Sequence, residues 1–126
     1  MGLFLLRLGR WLRGGLGHVG NISDMAWAML RKAFCLEKTG MTEAALNTYR
    51  DIVDRYPKEF TAPEALIGSG RIYEARREYP AARAAYNRVT ADYPDSHKVV
   101  EAKSQLQDLT AKEQDWERIK AELSKM

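Results

Sequence analysis

Two stretches of the chain repeat one another at an offset of 37 residues. With residues 28–57 set over 65–94, Met29 falls on Leu66, Ala33 on Gly70, Leu36 on Tyr73 and Glu37 on Glu74. Further along, Ala44-Ala45 falls on Ala81-Ala82, Tyr49 on Tyr86, Ile52 on Val89 and Tyr56-Pro57 on Tyr93-Pro94. A repeat of this length marks a stack of like supersecondary units, none of which buries its apolar face alone. Such a chain is expected to hold other proteins rather than to carry out chemistry.

Each unit reads as two helices. In the first, Met29, Leu30, Ala33, Phe34 and Leu36 recur at three- and four-residue steps, as one helix face requires. Ser23 or Asp24 is the expected N-terminal cap, and Gly40 the left-handed stop. Thr42 is the expected cap of a second helix, whose series Ala45, Leu46, Tyr49, Ile52, Val53 and Tyr56 ends at Pro57. In the second unit, Thr61 and Glu64 suit a capping box with Pro63 in the first turn. Leu66, Ile67, Gly70 and Tyr73 then form the inner stripe, and Pro80 opens a helix carrying Ala82, Ala85, Tyr86 and Val89. The small residues Ala33, Ala45, Gly70 and Ala82 fall where two helices have to approach closely. Asp95 or Ser96 is the expected cap of a longer last helix running to about Ser124. Its second half lacks a partner helix in the sequence, so Trp116, Ile119 and Leu123 either cap the stack or meet another chain.

The segment Gly70-Arg-Ile-Tyr73, Tyr79-Pro-Ala-Ala82, Tyr86 and Asp92-Tyr-Pro94 resembles the tetratricopeptide repeat motif. In the first unit Ala33 stands for the glycine, Leu36 for the first tyrosine and Thr42 for Tyr79. The 37-residue spacing, with Tyr93-Pro94, Ser96 and Glu101-Ala102, resembles the extended variant of bacterial envelope and assembly proteins. The resemblance implies an all-α fold: a short right-handed helical-repeat solenoid of two full units and a partial third, preceded by an amphipathic helix. The expected division is 1–22, 23–94 and 95–126.

By position, the resemblance also implies a concave groove that takes a peptide or a neighbouring subunit. Its lining would be Trp27, Leu30, Arg31, Phe34 and Lys38, then Glu64, Ile67, Arg71 and Glu74, then Glu101, Ser104, Gln105 and Asp108. No asparagine stands at these positions, which speaks against the lysine–asparagine clamp of chaperone-binding members. Trp27, Leu30 and Phe34 form an apolar patch with hot-spot composition. The alternative is that this patch packs against the protein's own N-terminal segment.

That segment differs in kind. Wound as a helix, Phe4, Leu5, Leu8, Trp11, Leu12 and Leu16 share one arc, with Arg7, Arg10 and Arg13 on the other. A basic amphipathic helix suits a membrane interface or a groove in a partner. It is too interrupted to span a bilayer, and its charges follow the apolar run rather than precede it as in an export signal. The three arginines of residues 1–22 face no acid, whereas the rest of the chain holds 17 basic and 17 acidic side chains. A neutral body argues against nucleic acid as the partner.

No catalytic, metal or cofactor constellation stands out. Cys35 is alone and reads as a small core hydrophobe, while His18 and His97 have no second ligand at metal spacing. The arginines at 71, 76, 77, 83 and 88 read as a solvated helical surface. The expected function is therefore a non-catalytic scaffold or accessory subunit of a larger, membrane-associated complex, docked through its N-terminal helix. Its place would be the cytoplasmic side, peripheral on the inner face of the membrane, rather than the periplasm. The alternative is a soluble adaptor that takes a client peptide in its groove.

Overall fold

The computed structural model describes residues 21–126. They form five helices: α1 (Ile22–Lys38), α2 (Thr42–Arg55), α3 (Thr61–Ala75), α4 (Tyr79–Asp92) and α5 (Lys98–Ser124). No strand occurs among the described residues. Helices α1 and α2 pack as one hairpin, α3 and α4 as the next, and α5 closes the stack against α3 and α4. The first helices of successive units touch, α1 on α3 and α3 on α5, whereas α2 and α4 do not meet. The stack therefore curves with α1, α3 and α5 inside and α2 and α4 outside.

Both hairpin turns are built alike. In the first, the Met41 N–H donates to Leu36 O at 2.9 Å and the Gly40 N–H to Glu37 O at 3.2 Å. Gly40 takes φ +84°, which glycine adopts without strain. In the second, Glu78 N–H donates to Tyr73 O at 2.8 Å and Arg77 N–H to Glu74 O at 2.9 Å. Here Arg77 holds φ +62°, an arginine where the first unit has glycine. Its guanidinium lies 4.3 Å from the centre of the Trp116 ring on α5, so a cation–π stack offsets the backbone strain.

The core runs through the middle of both hairpins, with Leu30, Tyr49, Ile52, Ile67, Ile72, Tyr86, Val89 and Leu109 its largest fully buried apolar side chains. The small residues do what their spacing predicts. Ala33, Ala45 and Ala82 are completely buried, and a Cβ on Gly70 would lie 2.3 Å from the Tyr86 ring. Gly68 plays the same part between units: a Cβ there would lie 2.4 Å from Cζ of Tyr49.

The helix starts differ from the sequence expectation. Asn21, not Ser23 or Asp24, caps α1, its side chain accepting from the Ser23 N–H at 3.2 Å. Met41 and Phe60 hold the cap positions of α2 and α3, with no side-chain cap. Thr42 and Thr61 thus lie one residue inside. The Thr42 hydroxyl instead accepts from Arg76 Nη2 at 2.7 Å, and Thr61 is fully buried. Glu64 turns away to Lys98, so no capping box forms. At α5 the cap position is His97, which makes no side-chain cap bond, and Ser96 just before it accepts from the Lys98 N–H on its Oγ at 3.1 Å. Cys35 is exposed rather than in the core, because the buried stripe of α1 runs through Ala26, Leu30 and Ala33 instead.

Candidate functional site

The inner face is a ladder of equivalent positions from α1, α3 and α5. Trp27 is followed by Glu64 and Glu101, and Phe34 by Arg71 and Asp108. Chemistry changes along it, from aromatic at α1 to charged at α3 and α5.

At the aromatic end, Trp27 on α1 and Phe60 at the head of α3 pack with centroids 5.7 Å apart and ring planes tilted by 36°. They are 45% and 52% exposed, so this apolar pair faces solvent. Two turns along α1, Phe34 is half-buried, edge-on to Tyr49 at 6.1 Å, with the Arg71 guanidinium 5.9 Å from its ring centre. Arg31 and Lys38 are exposed on the same helix. Leu30 and Ile67, expected to line the groove, are 1% exposed and belong to the core. Periodicity placed them on the correct stripe, but the middle of that stripe points into the hairpins.

At the charged end the side chains are tied to one another across helices. Glu37 accepts from Tyr49 Oη at 2.6 Å and from Arg71 Nε and Nη2 at 3.0 and 2.9 Å. Burial alone would raise the Glu37 carboxyl, but the hydrogen bonds from Arg71 and Tyr49, with the Arg71 charge, hold it below its ordinary range. Burial and the adjoining Glu37 carboxylate push the Tyr49 phenol up in turn. Lys98 bridges Glu64 at 3.0 Å and Glu101 at 2.9 Å, and these carboxylates raise its ammonium against the opposing effect of burial. Lys112 reaches Glu74 at 3.3 Å. Each first helix is thereby pinned to the next along the inner face.

The arginine run is less solvated than its sequence suggested. Arg71 pairs with Glu37, Arg76 with Glu43 at 2.7 Å, Arg83 with Glu113, and Arg77 stacks on Trp116. These side chains join the second unit to the first and to α5. Only Arg88, 3.5 Å from Asp92 on its own helix, keeps the expected surface role. Trp116 is half-buried under Arg77, while Ile119 and Leu123 are 49% and 59% exposed beyond the end of the stack. Sequence reasoning missed Phe60, Glu37, Lys98 and Lys112; Phe60 lies in a loop, and the others only acquire partners once helices from different units meet. The docking residues Phe4, Leu5, Arg7, Leu8, Arg10, Trp11, Leu12, Arg13 and Leu16 lie outside the described residues.

Among the described residues no group of histidine, cysteine and carboxylate side chains is placed to hold a metal ion, and no helix is long and apolar enough to cross a membrane. A stack of helical hairpins with an open inner face defines a helical-repeat interaction module. The tetratricopeptide repeat family model matches residues 27–59 and 64–96, just over half of the chain, and the chain belongs to that family. Repeats of this family form protein–protein interaction modules, and their fold is typically non-catalytic. No curated protein matches the chain.

Proposed function

We propose that this protein is a non-catalytic scaffold, an accessory subunit that takes a protein partner on its inner face and is attached to a larger assembly through residues 3–16. The observation that carries the reading is the Trp27–Phe60 pair, half exposed at one end of a face whose Glu37, Arg71, Glu64 and Glu74 are paired internally. Paired aromatics beside the exposed Arg31 have the composition of an interface hot spot, and covering them is where binding energy is available. The basic amphipathic pattern of residues 4–16 is that of a membrane-surface helix and supports a membrane-associated assembly.

Affinity capture from mild-detergent extracts of the protein's own cells tests this with three forms: the full chain, the chain lacking residues 1–20, and Trp27→Ala/Phe60→Ala. The full chain is expected to retain a stoichiometric complex that both altered forms lose. A soluble partner kept by the truncated form and lost only by the aromatic variant would make the protein an adaptor. Retention of the same partners by all three forms would refute the reading.

A further inference from the structure

The outer side of the stack holds a second concave feature. Because α2 and α4 do not touch, a cleft of about 250 Å³ opens between them with α3 as its floor. Leu46, Val53, Leu66, Ala81, Ala84 and Ala85 make it apolar. The alanines on α4 leave the space unfilled from within, where larger side chains would have packed it to ordinary interior density. Ser69 on the floor is satisfied, its Oγ donating to Ala65 O at 3.1 Å, so the floor asks for no polar group from a ligand.

The mouth has a different chemistry. Arg50 from α2 and Arg88 from α4 stand on opposite sides of it, with Asp54 as the single acid. Arg50 has no ion-pair partner among the described residues, and Arg88 has only the long contact to Asp92, both partners 53% exposed. By contrast, Arg71, Arg76 and Arg83 are each bound to a carboxylate on another helix. Neither guanidinium beside the apolar cleft is thus tied to a carboxylate on another helix.

We infer that this cleft is a second docking site, separate from the inner face, for a protein segment that presents one bulky apolar side chain with a carboxylate beside it. The apolar side chain fills the cleft and leaves water, and the carboxylate bonds a guanidinium in bidentate fashion at the rim. The Asp54 carboxylate repels an acid on its own side of the mouth, which sets the direction in which the segment lies.

The test is an NMR titration of the isotope-labelled full chain with a capped Ala-Phe-Glu-Ala peptide. Saturable shifts are expected in residues 46–54 and 81–88. Peptides lacking the ring (Ala-Ala-Glu-Ala) or the charge (Ala-Phe-Gln-Ala) should bind about tenfold more weakly or worse. Ala84→Leu, at an exposed wall position, should fill the cleft and abolish binding. The Arg50→Glu/Arg88→Glu pair, also at exposed positions, should do the same, with melting curves confirming that both variants fold. Trp27→Ala should leave the peptide affinity unchanged. Absence of saturable shifts on these helices, equal binding of the glutamine peptide, or unaltered affinity in either cleft variant would overturn the inference. Since Trp27→Ala reports on the inner face separately, that failure would leave the proposed function standing.

Discussion

A single methyl added at Gly68 isolates the contact that joins the first unit to the second. Alanine in a helix interior is ordinarily favoured over glycine by about 1 kcal/mol. At Gly68, however, the new Cβ would lie 2.4 Å from Cζ of Tyr49 and 2.7 Å from both Cε atoms. Carbon atoms settle at roughly 3.5–4 Å, so the ring has to retreat by about 1 Å. Tyr49 has nowhere to go: it is fully buried, edge-on to Phe34, and its hydroxyl is held on Glu37 at 2.6 Å. Overpacking costs about 1–3 kcal/mol, and weakening a hydrogen bond to a charged group adds about 1–2. After the propensity gain, Gly68→Ala should lose about 2 kcal/mol, or about 10 °C in melting temperature for a domain of this size. Urea denaturation of four forms reads this directly: the parent, Gly68→Ala, Tyr49→Leu, and both together. With the ring removed, the same alanine should be neutral or stabilising, giving a coupling of about 2 kcal/mol. A Gly68→Ala protein as stable as its parent, or an equal loss in both backgrounds, would refute the argument that Tyr49 locks the two units.

Glu37 links stability to acid. Its folded carboxyl titrates below the ordinary 4.5, so the contribution is fully present above that value and is lost as pH falls through the folded one. Glu37→Gln should cost about 1–2 kcal/mol at neutral pH and flatten the acid limb; a denaturation midpoint that falls just as steeply in the variant would exclude Glu37 as the source. At the second turn, Arg77→Gly relieves about 1 kcal/mol of backbone strain and gives up a cation–π contact of similar size. Global stability should therefore change little, while amides near Trp116 exchange faster with solvent. Unchanged exchange there would show that the stack does not hold α5 down. Arg77→Ala keeps the strain and loses the stack, so it should be less stable than Arg77→Gly by about 1 kcal/mol in the same denaturation assay.

The fold was legible because repetition reports on packing. Tyr49 and Tyr86, the Tyr-Pro helix ends and the small residues at Ala33 and Gly70 recur wherever the hairpin recurs. What repetition hides is the contact a unit makes only with its predecessor. Gly68 is aligned with exposed Arg31, which has no earlier described unit to meet, so its role between units left no matching mark. Arg77 is aligned with Gly40, and nothing in an arginine announces a left-handed turn until Trp116 arrives from α5. The threonine caps failed for a local reason: Thr42 and Thr61 fall one residue inside their helices, where Thr42 receives Arg76 and Thr61 is buried. In the candidate site, spacing put Trp27, Phe34 and Arg71 at positions that the structure leaves wholly or partly exposed. It could not resolve the rotation that turns Leu30 and Ile67 into the core, nor place Phe60 beside Trp27 from a loop.

The most direct test of the account is photo-cross-linking in the protein's own cells from position 31, where Arg31 stands exposed one turn from both Trp27 and Phe34 on α1. A photoreactive residue there should give a discrete protein adduct that Trp27→Ala removes, with no such adduct from position 125 at the far end of α5. No protein adduct from position 31, or the same adducts whether or not Trp27 is present, would contradict the claim that this face holds a protein partner.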